Sequence, residues 1–274
     1  MTTLAEYATS RELLVNLTLR ELRSKYKRST LGWAWSLINP LAILLIYTLV
    51  FRFFLKVEPP TGSNSGMSNF GLFVLTGLLP WNYLVTSTTG SIGTLVGNAN
   101  LLKKAYFPRE LLVVAHVGSW LISLLIELGL LAVAFLVFGN MVLPFIPVAI
   151  LLVVMLTLFV VGLGLALSVV NVYFRDVQHF MGIFFQLWFF LTPIVYPISL
   201  VPQRVEILGR DLPLRALYDL NPMVSFVKAF RRCFYDLALP SVGELAILLA
   251  VSVTTFSFGL LIFNGFEGRL AEEL

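Results

Sequence analysis

Few side chains in this sequence are placed to do chemistry, and most of them stand alone. Glu127 lies near the middle of the apolar stretch 113–138, with His116 close to one end of it. An ionisable group at such a place is costly in lipid and reads as functional by default. It would serve as polar lining of a conduit, as a proton site, or as partner to a basic residue elsewhere; a protonated or hydrogen-bonded packing residue is the structural alternative. His179 follows the Arg175–Asp176 pair that opens the stretch HFMGIFFQLWFFLTPIVYP. Its aromatics, Trp188, Phe189 and Tyr196 among them, offer flat faces for sugar rings, and equally suit a helix facing lipid. The machinery of catalysis is missing. No Gly-Lys pair occurs, so the chain has no phosphate loop of its own. Neither a His-Glu-x-x-His zinc motif nor a nucleophile elbow is present, and no close pair of acids falls within the apolar stretches. Cys233, the only cysteine, leaves no internal disulfide framework and no Cys-rich metal site.

The elements that position these residues are set by composition. The chain of 274 residues is 58% hydrophobic and 12% charged, against about a quarter charged in an ordinary soluble domain. So little charge cannot cover a water-facing surface, and lipid is the expected solvent. No basic face on a soluble module is visible, which argues against nucleic acid. Six stretches meet the ~20 residues that a transmembrane helix needs: about 35–56, 70–96, 113–138, 147–173, 177–197 and 242–264. The second contains Pro80 and the small polar run STTGSIGTLVG, suited to helix packing or to a water-lined path. Between the fifth and sixth, residues 198–241 are too polar to span twice and read as short re-entrant helices on the outer side. The expected fold is all-α, with residues 1–34 as a cytoplasmic amphipathic segment and 35–274 as the transmembrane domain.

Basic residues in short connections orient the spans. Arg11, Arg20, Arg23, Lys25, Lys27 and Arg28 precede the first, Lys103, Lys104 and Arg109 follow the second, and Arg175 follows the fourth. That pattern puts both termini in the cytoplasm, and with them the stretch NANLLKKAYFPRELL at 98–112. Leu101, Leu102, Tyr106 and Phe107 mixed with charges there suit a helix on the lipid surface or a docking site for another protein. Residues 11–28 form an expected amphipathic basic helix, with Val15, Leu19, Leu22 and Tyr26 at helical spacing and Leu13, Leu14 and Leu17 widening the face. Trp33 and Trp35 mark the headgroup level.

Four segments, LRELRSKYKRSTLGWAWSLINPLAILLIYTLVF, NLLKKAYFPRELL, NVYFRDVQHFMGIFFQLWFFLTPIVYP and LYDLNPMVSFVKAFR, resemble in order the membrane subunits of ABC-2 type exporters, most closely the polysaccharide branch. The resemblance implies a homodimer of six-span subunits in the bacterial plasma membrane, paired with two copies of a soluble ABC ATPase. ATP and Mg²⁺ would sit on that partner; this chain would hold no cofactor and no metal and would not itself be an enzyme. The coupling surface on the ATPase would comprise Leu102, Lys103, Lys104, Tyr106, Phe107, Pro108, Arg109 and Glu110, with Arg175 and Asp176 nearby. Arg20, Arg23, Lys25, Lys27, Arg28 and Trp33 would meet the diphosphate of an undecaprenyl-linked polysaccharide at the cytoplasmic entrance. Glu127, Trp188, Phe189 and Tyr196 would line the conduit. Rival readings are a drug or small-lipid exporter of the same class, or a membrane enzyme acting on polyprenyl-linked sugar.

Overall fold

The computed structural model describes residues 4–25, 27, 29–54, 56, 59–104, 107–207 and 210–273. Arg28 and Tyr106 lie outside the described residues, as do the side chains of Trp33 and Lys104. The chain is helical nearly throughout: α1 (Leu4–Lys25), α2 (Trp35–Thr48), α3 (Phe70–Gly97), α4 (Ala99–Lys104), α5 (Glu110–Val137) and α6 (Ile146–Tyr173) come first. They are followed by α7 (Val177–Phe190), α8 (Leu214–Asp219), α9 (Pro222–Arg231), α10 (Val242–Phe266) and α11 (Leu270–Glu273). A two-stranded antiparallel hairpin, β1 (Val205–Ile207) and β2 (Arg210–Leu212), pairs Glu206 with Asp211.

Among the described residues four helices are long and apolar enough to cross a membrane: α3, α5, α10, and α6 together with the turn that precedes it from Leu143. α2 is continued by a wide π turn, Leu49–Phe54, which brings Trp35–Phe54 to about 30 Å, the thickness of a bilayer core. α7 is different. Its 14 residues reach about 21 Å, and the helix stops seven residues before the end of the apolar stretch that contains it. Pro193 and Pro197 account for the stop, since a proline offers no N–H and disfavours α geometry in the residue before it.

α3 is the hub, packed by α2, α5, α6, α7 and α9. Its small polar residues serve that packing: Thr76, Ser87, Thr88, Ser91 and Thr94 are buried, and Thr76, Ser91 and Thr94 donate back to carbonyls of their own helix. One edge, which includes Asn82, Thr86, Thr89 and Gly93, stays half-exposed. α6 and α10 share the most extensive helix contact, built on Gly162 and Gly259. A Cβ at Gly259 would stand 2.1 Å from the Gly162 carbonyl oxygen, and one at Gly162 would stand 2.4 Å from that of Thr255. Backbones this close are the usual reason for glycine at a helix crossing in a membrane.

Hydrogen bonds sort the connections into two ends. At one, Arg20 donates to Asn98, Arg109 to the Glu267 carbonyl, and Tyr173 meets Phe266 edge-on. At the other, Ser63, Asn64 and Ser65 bond to residues 235–237, and the Tyr235 hydroxyl donates to Pro60 while accepting from Asn69. α10 starts at this second end with a reciprocal cap, Ser241 and Glu244 each satisfying the other's backbone N–H.

Candidate functional site

The loop 98–110 is held from three sides. Asn98 caps α3: its Nδ2 donates to the Thr94 carbonyl at 2.9 Å, and its own carbonyl accepts from Leu101 and Leu102 at 2.9 and 3.0 Å. Its Oδ1 accepts from Arg20 of α1 at 2.9 Å. One asparagine thus ends one helix, starts the next and ties both to α1, which explains a polar residue that periodicity leaves unexplained. Leu102 turns inward and is 6% exposed. Arg109 donates its Nη1 to the Glu267 carbonyl at 2.5 Å. Glu110 opens α5, where a carboxylate favours the helix dipole. Lys103 and Pro108 are exposed and Phe107 is half-buried against the core. At the same end Phe174, Arg175 and Asp176 are exposed in the turn between α6 and α7. The outward surface is therefore Lys103, Phe107 and Pro108 beside that turn, while Leu102 and Arg109 serve internal contacts.

α1 lies along α5 on a face different from the one its apolar spacing predicts. Leu17 and Leu22 are buried and Leu13 and Leu14 partly so, but Val15 and Leu19 stay exposed. Polar contacts turn the helix. Glu21 meets His116 at 3.4 Å; that bond, with Arg20 assisting, holds the Glu21 carboxyl below its ordinary range although burial opposes it. Lys25 reaches into the groove and donates to the Ser119 carbonyl at 3.0 Å and the Ser123 hydroxyl at 3.3 Å, with its Nζ 3.4 Å from the centre of the Trp120 ring. Burial draws the Lys25 ammonium down to about 7, against the pull of Glu127 and Glu21. Glu127, one turn beyond Ser123, belongs electrostatically to this α1–α5 seam. Of the basic residues on the arm, Arg20 is shared between Glu21 and Asn98 and Lys25 is enclosed. Arg23 and Lys27 remain exposed beside Asn16 and Ser24, which with them line one open groove.

The end of α7 is fixed by residues from α9. Trp188 donates its indole N–H to Asn221 Oδ1 at 2.8 Å, and Asn221 Nδ2 donates to the Leu191 carbonyl and the Thr192 hydroxyl. Arg231, 8% exposed, donates to the Pro193 carbonyl at 2.5 Å and to that of Ile194, with its guanidinium 3.7 Å over Phe73. Backbone groups that leave a helix in a buried place must find partners, and these two side chains supply them. The spacing of apolar residues carries no trace of either contact. The aromatics expected at a sugar path pack on one another. Trp188 has Trp81 edge-on and Phe185 parallel to it, and Phe189 also meets Trp81. Tyr196 donates to the Phe190 carbonyl and lies 3.3 Å from the Tyr218 hydroxyl. Among the described residues no group of His, Cys, Asp and Glu is arranged to hold a metal ion.

An architecture of long apolar helices with an outward-facing loop at one end agrees with what sequence comparison finds. The profile of the ABC-2 type transporter family matches residues 12–235. The chain is 32% identical over 264 residues to the O-antigen export system permease protein RfbA of Myxococcus xanthus, covering 96% of each chain. It is 29% identical to the protein of the same name from Klebsiella pneumoniae over 96% of this chain and 95% of that one. A more distant relative, at 23% identity over 90% of this chain and 91% of its own, is the polysialic acid transport protein KpsM of Escherichia coli. By this match across most of its length, the chain belongs to the ABC-2 type transporter family of membrane permeases.

Proposed function

We propose that this chain is the membrane subunit of an ATP-driven exporter that carries an undecaprenyl-diphosphate-linked polysaccharide from the cytoplasm to the outer side of the bacterial plasma membrane. It would act as a homodimer with two copies of a separate ABC ATPase, which would hold ATP and Mg²⁺. One observation carries the reading above the others: end-to-end similarity to permeases named for O-antigen export. The polysialic acid relative favours a glycan over a drug.

In this reading the chain crosses the membrane six times, with α7 and the irregular 191–197 making the fifth crossing and 198–241 returning at the outer end. The end holding Asn98, Arg109 and Glu267 is cytoplasmic, in keeping with the basic residues there. Arg23 and Lys27, with Arg28 and Trp33 next in sequence, meet the diphosphate, while the exposed Val15 and Leu19 rest in the lipid interface. The half-exposed edge of α3, Asn82, Thr86 and Thr89, gives a hydroxylated polymer groups to bond, on the helix whose Trp81 meets the α7 aromatics. Phe107, with Tyr106, anchors the ATPase at the centre of the contact, and Lys103, Lys104 and the Arg175–Asp176 turn orient it.

Replacing Tyr106 and Phe107 by alanine tests the docking directly. The variant should still enter the membrane but bind its ATPase about 2 kcal/mol more weakly, the usual scale for interface anchors, or roughly 30-fold. Pull-down of the partner from solubilised membranes reads this, and unchanged affinity would remove the loop from the docking surface.

A further inference from the structure

We propose that the stretch Phe266–Leu270 is a brace that sets the angle of α4, with Arg109 and Leu270 as its positioning residues. The proposal rests on the reading of the 98–110 loop as the ATPase docking element. Three observations converge on it. The Arg109 guanidinium donates to the Glu267 carbonyl, at the C-terminal end of the 25-residue α10, where the helix dipole is negative and a cation is stabilised. Leu270 is 0% exposed and Leu102 is 6% exposed, and α11 packs against both α4 and α6. Tyr173, at the end of α6, packs edge-on to Phe266 at 5.7 Å.

The geometry defines what a push on the loop would move. α4 is six residues long, too short to stay helical on its own account, and nothing in its own sequence fixes its direction. Asn98 ties its start to α1 through Arg20, and Arg109 ties the far end of the loop to α10. α10 in turn crosses α6 backbone to backbone at Gly162 and Gly259. A displacement of α4 is therefore handed to two bodies at once, α1 with α5 and α6 with α10. The second route runs through Arg109 and Leu270, and without it the ATPase would still find its docking residues but would push on a loosely hinged loop.

The test uses Arg109→Gln and Leu270→Ala, with Arg109→Lys as the conservative variant, each in the full chain co-expressed with its ATPase. Partner affinity should stay within about twofold of the parent, while stimulation of ATP hydrolysis by the permease and polymer export should both fall about tenfold. Arg109→Lys, still able to donate to the Glu267 carbonyl, should recover much of that loss. Normal stimulation in both Arg109→Gln and Leu270→Ala would overturn the brace, as would partner binding lost in proportion to stimulation, because the residues would then belong to the docking surface itself. Should the variants fail to accumulate, cysteines at Leu102 and Leu270 in a Cys233→Ala background provide a second measurement. Joined by a short bifunctional thiol reagent, they should leave coupling intact, and loss of coupling on joining them would overturn the proposal. The Tyr106 and Phe107 variant, run in parallel, separates the two ideas. If it keeps its partner, the docking reading falls; if it loses its partner while the Arg109 and Leu270 variants couple normally, only the brace falls.

Discussion

Gly259→Ala should be among the most damaging single-methyl changes in this protein. The new Cβ would stand 2.1 Å from the Gly162 carbonyl oxygen and 2.8 Å from its Cα. Both obstacles are backbone, so no side chain can swing aside, and α6 and α10 would have to separate along their largest mutual contact. Overpacking a tight site costs typically about 1–3 kcal/mol, and an obstacle that cannot relax puts this case at the upper end. Gly265→Ala, on the same helix with nothing within 4 Å of the added methyl, is the control; it should be neutral or stabilise by up to about 1 kcal/mol, the difference in helix propensity. Thermal unfolding in detergent should separate the two variants clearly. Equal midpoints would mean that the α6–α10 crossing is looser than described.

Arg231→Met carries the other large expectation. Methionine fills a comparable volume but leaves the Pro193 and Ile194 carbonyls without a donor, and each orphaned buried group costs about 1–3 kcal/mol. Removing a buried cation returns part of that, because a charge with no carboxylate in bonding distance is itself expensive. Two orphaned groups against one relieved charge leaves a net loss, on the order of 2 kcal/mol. Arg231→Lys keeps the charge but lacks the planar fork that bridges two carbonyls, so it should fall between the two. Gly77 adds an independent handle: a Cβ there would come within 3.0 Å of Val227 and 3.3 Å of Arg231 Nη2. Gly77→Ala should therefore weaken export in the same direction as Arg231→Met, though less. Lysine performing as well as arginine, by thermal midpoint and by export, would show that charge alone matters and the clamp does not.

How much of this was legible in the sequence depends on the range of the contacts involved. Long apolar runs report themselves: stretches expected at 70–96, 147–173 and 242–264 become Phe70–Gly97, Ile146–Tyr173 and Val242–Phe266, because a helix in an apolar medium satisfies its own backbone. The fifth stretch is equally apolar to residue 197, yet α7 ends at Phe190. Prolines mark the break, but its shape is set by Asn221 and Arg231 from some 30 to 40 positions further along, and hydropathy carries no record of such pairings. The same limit explains α1, where Val15 and Leu19 sit on the expected apolar spine while Glu21 and Lys25 select the buried face through α5. It also explains Leu102, read as an interface anchor from its company of charges and aromatics, and buried here at the end where α11 packs on α4. Glu127 was recognisable as an unusual residue, but its electrostatic influence on Lys25 required the docked helix.

The central claim, that this permease moves a diphosphate-linked glycan under the power of a separate ATPase, is tested most directly by reconstitution. The chain and its cognate ATPase are placed together in lipid vesicles with a fluorescently tagged undecaprenyl-diphosphate-linked polysaccharide from the same organism. The arrival of the tag in the opposite leaflet, exposed to a quencher confined to that side, is then followed. Transfer should require ATP, both subunits and an intact Tyr106–Phe107 loop, and should fail when the polysaccharide is offered without its lipid diphosphate. Transfer that proceeds without the ATPase, or ATP hydrolysis stimulated by drugs but not by the lipid-linked glycan, would contradict the account.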